Sequence, residues 1–191
     1  MDHDPPAGRR TRYVEDAASL RAIAHPLRLE LLGRLRARGP ATASELGRAL
    51  GESSGSTSYH LRQLERFGFI EPDPDQPSRR DKIWRAAHDS TSFELWEGAG
   101  PAEMAAVDTI VAVQVDHLIR GVRRRQREAA SMPQEWRDGH ASSDMQLRIT
   151  ATAMRELCEQ IDALVLSAET PDHPDAAWVE LHLQSFFREE S

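Results

Sequence analysis

The stretch SSGSTSYHLRQLERFGFIEPD, residues 53–73, runs through small hydroxyl and glycine residues and then switches to a helical apolar pattern at Leu61, Leu64 and Phe67. A flexible linker begins in that way but does not continue in it. Ser53 or Ser54 is suited to cap a helix running to about Phe67, and Gly68 is suited to end it. Helical periodicity puts Thr57, Leu61 and Leu64 on an inner face and Ser56, Tyr59, Gln63 and Arg66 on an outer one. FIEP then reads as a short strand, DPDQPSRRD as a turn-rich tip, and KIWRA as a returning strand with Trp84 packed inward.

Upstream, residues 15–25 read as a helix with Leu20, Ile23 and Ala24 on one face. Pro26 suits the first turn of a second helix, which carries Leu27, Leu31, Leu32 and Leu35 at helical spacing and ends at Gly39-Pro40. In ATASELGRALG, Thr42 or Ser44 caps a short helix with Leu46 and Leu50 as core residues and Gly51 closing it. Helix, helix, short helix, tight turn, helix and hairpin is the order of a winged helix-turn-helix. That order explains the small residues at 53–58. A recognition helix approaches a duplex by its N-terminal turn, where small hydroxyls permit close approach and free N–H groups favour phosphate. The expected DNA contacts are Ser54, Ser56, Thr57, Tyr59, His60, Arg62 and Gln63 on this helix, the longer side chains reaching base edges. Arg79, Arg80 and Lys82 are expected to hold the hairpin on phosphate or in the minor groove.

The pieces AHPLRLELL, SELGRALG, STSYHLRQL and GFI, in that order, resemble the DNA-binding domain of the ArsR-like winged-helix transcriptional regulators over about residues 16–88. The resemblance implies a homodimer that binds an operator and regulates transcription. Metal-sensing members carry a cysteine pair in the positioning helix. ASELGRAL has none, which argues against thiolate metal sensing, and no metal or other cofactor is expected.

The C-terminal half follows a connector, STSFELWEGAG. Residues 102–127 form the longest helical pattern, with Met104, Val107, Val111, Leu118 and Val122 near one stripe and Ile110, Val113 and Val115 widening it. This stripe is expected to make the dimer, against a competing reading as an intramolecular core helix. Residues 130–143 read as loop. DMQLRI and AWVELHLQSFF alternate apolar and polar residues and read as strands around a helix from Thr150 to about Leu166, with Met154, Leu157, Ile161 and Leu164 or Val165 inside. The arrangement is similar to the C-terminal extension of a subgroup of larger actinobacterial regulators. The two strands are expected to pair with each other or across a dimer.

Composition supports this division. The net charge is −7, yet residues 1–88 carry +3 and residues 89–191 carry −10. A mildly basic half fits nucleic acid better than the total suggests. One cysteine, Cys158, excludes an internal disulfide framework and fits a reducing cytoplasm; on an apolar helical face it reads as core. No apolar run reaches the ~20 residues that span a membrane, and MDHDPPAGRRTRY reads as a loose tail without a signal peptide's apolar core. Trp96, Trp136 and Trp178 are packing anchors on the favoured reading and lining of a small-molecule effector pocket on the other. RRRQR at 123–127 reads as a solvated helix end. SSGSTS lacks a G-x-S-x-G elbow or an S-x-x-K pair, and GAGPAE lacks the last glycine or alanine of a dinucleotide loop, so no enzyme is expected.

The expected fold is mainly α (α+β). A tail at 1–14 precedes a winged helix-turn-helix at 15–88, and 89–191 form a dimerisation and effector region. The expected function is that of a cytoplasmic, homodimeric regulator, repressing from an inverted repeat in double-stranded DNA, with no membrane partner. The alternative is a winged-helix protein-interaction module. The polar outer face of residues 54–66 favours DNA.

Overall fold

The computed structural model describes residues 10–75, 82–93, 99–138, 145–168, 173–177, 179, 181–183 and 185. The chain divides into two compact units, Met1–Asp116 and His117–Ser191.

The first unit opens with strand β1 (Thr11–Val14), where the sequence reading placed a loose tail. Val14 is buried there, and β1 pairs in parallel with a strand after the hairpin, so residues 11–14 are fixed by a ladder partner about 80 residues away in sequence. Helices α1 (Ala17–Ile23) and α2 (Pro26–Arg38) follow. Asp16 caps α1 by accepting from Ser19 N at 2.8 Å. His25 caps α2, its Nδ1 accepting from Leu27 N at 3.2 Å. Strand β2 (Ala41–Thr42) leads into α3 (Ala43–Leu50), where Thr42 and Glu45 form a reciprocal capping box. The recognition helix α4 (Ser54–Arg66) begins at Ser53, whose hydroxyl accepts from Ser56 N.

Strands β3 (Ile70–Pro72) and β4 (Ile83–Ala86) form the antiparallel hairpin, and β2 extends it to the order β2-β4-β3. Trp84 packs inward as its alternation requires. Strand β5 (Ser90–Phe93) then pairs with β1. Arg36 ties it to α2, donating from Nε to His88 O at 3.0 Å and from Nη2 to Thr91 Oγ1 at 2.7 Å. Leu20, Leu31, Leu32, Leu61, Leu64, Phe69 and Ile70 form one core, each side chain worth about 1.5–3 kcal/mol when buried.

Helix α5 (Pro101–Glu128) closes this core with its first turns. Ala106 and Ile110 are buried in it, and Val107 packs beside them. Glu103 is held at the same face. It accepts from Gly100 N at 3.0 Å, capping its own helix, and pairs with Arg21 Nη1 of α1 at 2.6 Å. The compact unit therefore runs beyond residue 88, where the sequence reading ended the domain, because α5 supplies part of its core.

The second unit contains α6 (Gln134–Asp138), in a stretch read as loop, and α7 (Ala151–Ser167). Met154, Leu157, Ile161 and Val165 form the half-buried stripe of α7, whereas Leu164 is exposed. Cys158 corrects an expectation: it lies beside that stripe and is exposed, not core. Residues 145–150 and the described residues of 173–185 join no sheet. Met145, Leu147, Val179, Leu181 and Leu183 are exposed, and among the described residues no strand pairs with these segments, without which a strand does not form.

Two glycines fix the geometry around α4. Gly68 adopts φ +70°, and a Cβ there would meet Arg12 Nη1 at 3.0 Å. Gly47 of α3 faces the recognition helix: a Cβ would lie 2.9 Å from both Glu52 O and Thr57 Oγ1. Gly47→Ala is expected to push α3 and α4 apart and to cost about 1–3 kcal/mol, read as a lower urea midpoint by circular dichroism. An unchanged midpoint would show that the two helices can separate freely.

Candidate nucleic-acid interface

The outer surface of α4 is a stripe at helical spacing. Ser54 and Gly55 lie exposed in its first turn, and Tyr59, Arg62 and Arg66 continue it outward. Tyr59 is 54% exposed, high for an aromatic residue in a small domain. Ser53 Oγ takes the Ser56 N–H and Thr57 turns inward, so the exposed side of the first turn carries only the small residues Ser54 and Gly55 before Tyr59. This combination presents donors close to the helix end and longer hydrogen-bonding side chains one to three turns along.

The expected contact residues divide by where the structure puts them. Ser54, Tyr59 and Arg62 stand on the exposed stripe, while Ser56 and Gln63 flank it half-buried. Thr57 is a correction. It is 0% exposed, its Oγ1 donates to Ser53 O at 2.9 Å, and it fills the space opposite Gly47, so it supports the helix from inside. His60 turns sideways toward α2. Its ring centroid lies 4.4 Å from that of His25, and Tyr59 meets it edge-on at 5.1 Å. Lys82 is engaged within the domain. Its Nζ contacts Glu65 Oε1 at 2.7 Å and sits 4.0 Å from the centre of the Trp84 ring. Arg79 and Arg80 lie outside the described residues. So do Trp96 and Trp178, while Trp136 of α6 is exposed.

Arg66 belongs to the exposed stripe and was not among the expected contacts, although its outer position was legible from the helical period. Arg12 was missed altogether. Its guanidinium lies 4.4 Å over the Phe69 ring and donates to Gly68 O at 3.2 Å, clamping the end of α4 to β1. Of the expected dimer residues, Met104 and Val122 are exposed, Val111 and Leu118 are half-buried, and Val107 leans on the core. Among the described residues no three His, Cys, Asp or Glu side chains gather as metal ligands, and no helix is long and apolar enough to cross a membrane.

Residues 23–73 match the family described as "Helix-turn-helix domain". A curated relative, the HTH-type transcriptional regulator YgaV of Escherichia coli (strain K12), is 39% identical over 59 residues, 31% of this chain and 60% of that protein. The match and the order of α2, α3, α4 and the β3–β4 hairpin agree on a winged helix-turn-helix fold for the N-terminal unit. The chain spans less than two thirds of that curated relative. Solved structures similar to it include reduced HlyU from Vibrio cholerae N16961, 25% identical, covering 36% of this chain and 68% of that one at a TM-score of 0.32. Another is the homodimeric winged helix-turn-helix domain of a possible ArsR-family regulator from Mycobacterium bovis, 20% identical over 59% of this chain and 82% of that one, TM-score 0.33.

Three histidines of the winged helix titrate below their ordinary value of 6.5. Burial is the main cause at His25, followed by Arg28. Burial also leads at His60, with His25 and Arg28 adding to it, and at His88, beside Arg12, Arg10 and Arg36. The unfolded chain therefore takes up protons at a higher pH than the folded one. Their contribution to stability is complete above pH 6.5 and is lost as pH falls from there through the lowered folded values. The urea midpoint is expected to fall between pH 7 and 5, with a smaller fall for His25→Asn/His88→Asn. A midpoint independent of pH over that range would contradict the burial of these rings.

Proposed function

We propose that the chain is a sequence-specific DNA-binding transcriptional regulator that acts as a homodimer on an inverted repeat. The observation that carries this is the exposed stripe of α4, with an open first turn of small residues followed by Tyr59, Arg62 and Arg66. In the proposed complex this stripe enters the major groove and the N-terminal turn rests on phosphate. Gln63 reaches base edges from the flank, and Arg79 and Arg80 hold the hairpin on the backbone. Repression is the proposed sign, since a dimer seated on its operator blocks polymerase without further machinery.

Helix α5 supports the dimer. Glu103, Ala106 and Ile110 face the core, whereas Met104, Val111, Leu118 and Val122 fall on a second stripe about 100° around the helix. A second apolar stripe on a helix already docked by its first is suited to a partner helix. Two copies related by a two-fold axis then present two α4 helices to half-sites about one helical turn apart. The C-terminal unit is the proposed place for any effector.

The experiment is to incubate the purified protein with sheared DNA of its own genome near physiological salt and sequence the retained fragments. Enrichment of a shared inverted repeat is the expected result; retention without a shared sequence would favour the protein-interaction module. On the recovered operator, Arg79→Ala/Arg80→Ala is expected to weaken binding to all duplexes alike and to lower the slope of log affinity against log salt by about two. An unchanged slope would remove the hairpin tip from the interface. Tyr59→Ala or Gln63→Ala is expected to alter which base pairs are preferred. Equal weakening on every sequence would reduce these residues to positioning the helix.

A further inference from the structure

We propose that His25 and His60 form a proton-sensitive brace that positions Tyr59 on the recognition helix, so that mild acid removes sequence selectivity before it removes DNA binding. The consequence for selectivity rests on the DNA-binding reading; the brace itself does not.

The brace is a contiguous row of three rings across two helices. His25 stands at the N-cap of α2, and its Nδ1 is the acceptor for Leu27 N–H. That nitrogen carries no proton, so the ring is neutral while the cap is intact. The His25 ring lies 4.4 Å from His60, tilted by 40°. His60 in turn meets Tyr59 at 5.1 Å and 82°, edge against face. Tyr59 is the exposed aromatic residue of α4, and the His60 ring is in contact with it.

The surroundings make this row intolerant of charge. His60 Nδ1 is screened from solvent and has no hydrogen-bond partner among the described residues. Arg28 of α2 brings a fixed positive charge to both imidazoles, held in place by donating from Nη2 to Arg21 O at 3.3 Å. Arg21 of α1 turns its own charge to Glu103. Among the described residues the acidic group acting on His60 is Glu52, exposed in the turn between α3 and α4. A proton on either imidazole therefore faces the other ring at about one ring spacing and the positive charge of Arg28 nearby. A proton on His25 Nδ1 also abolishes the α2 cap. Burial and these charges hold both rings below the ordinary histidine range, which keeps the brace neutral near pH 7 and makes mild acid the condition that breaks it.

The test uses the full chain between pH 7.5 and 5.5 with three readouts. Imidazole NMR titration gives the midpoints of the two rings. The nuclear Overhauser contact between the Tyr59 and His60 rings reports the brace. Affinity for the selected repeat relative to an unrelated duplex reports selectivity. The expected result is midpoints below 6.5, loss of the Tyr59–His60 contact with acidification, and at least a tenfold fall in selectivity while binding to the unrelated duplex holds or rises. His25→Asn keeps a capping side chain but cannot charge, and is expected to reduce the pH effect to under threefold. Midpoints at or above 6.5, a ring contact that survives charging, or an undiminished pH effect in His25→Asn would each overturn the proposal. Parallel loss of binding to both duplexes would mean unfolding and would overturn it too. If no duplex is selected at pH 7.5, the regulator reading fails, and the midpoints and the ring contact still decide the brace.

Discussion

The recognition helix is held at one point where two backbones almost touch. Gly47 of α3 leaves room for the Thr57 side chain and the Glu52 carbonyl, each 2.9 Å from where a Cβ would stand. Thr57 sits fully buried in that space and returns its hydroxyl proton to Ser53 O, the residue that caps α4. One close contact thus sets the distance between the helices and also fixes the first turn that α4 presents. Leu46, Leu61 and Leu64 bury the rest of the interface, but leucines tolerate small shifts and small residues in contact do not. Further along, Arg12 clamps the end of α4 through Gly68 O and the Phe69 ring. Held at both ends, the helix offers its outer residues in a defined orientation, which positional discrimination among bases requires.

Charge distribution follows the same economy. Several cations of the winged helix are committed internally: Arg21 to Glu103, Arg85 to Glu71, Lys82 to Glu65 and the Trp84 ring, and Arg36 to the strand after the hairpin. The excess of +3 in residues 1–88 therefore understates the selectivity with which positive charge is displayed. Arg62 and Arg66 remain on the exposed stripe of α4, Arg66 in its last turn, while the N-terminus at the other end adds its own positive partial charge. The −10 of residues 89–191 opposes a polyanion in general, and it penalises indiscriminate adhesion more than a docked complex at short range.

Much of the first unit was legible because its signals are local. Helical spacing located α1 to α5, the hydroxyl caps marked the starts of α3 and α4, and Trp84 declared the inner side of the hairpin. What escaped was set by distant partners. Strand β1 exists because Ser90–Phe93 offers an edge, and no pattern in residues 11–14 announces that pairing. The inward turn of Thr57 was legible from the period, yet its hydroxyl also suited phosphate, and only the space opposite Gly47 decides between them. His60 lies between the inner and outer faces, and its direction is set by His25, 35 positions earlier in the chain. In the second unit the alternation at 145–149 and 179–183 led to an expectation of strands that the described residues do not form, because a ladder needs a neighbour that alternation does not supply.

The faces of α5 connect these observations. Its buried side is short and specific: Glu103 neutralises Arg21 and caps the helix, and Ala106 and Ile110 finish the core. Small Ala106 brings the helix close, so the docking needs few residues and leaves most of the 28-residue helix for other work. A helix this long is not required to close a winged helix whose own core already holds Leu31, Leu61 and Leu64 at 0% exposure. Its second apolar stripe is costly to leave in water and gains nothing from the docked face. In the proposed dimer such a helix carries the partner interface directly on the element that seats the core. That interface would lie on the helix whose Glu103 pairs with Arg21, and the Arg21 carbonyl accepts from Arg28 Nη2 beside His25 and His60. The contacts from Glu103 to Arg21, from Arg21 to Arg28 and between the three rings are observed, and they would give the proposed dimer a physical route to the residue proposed to read the base.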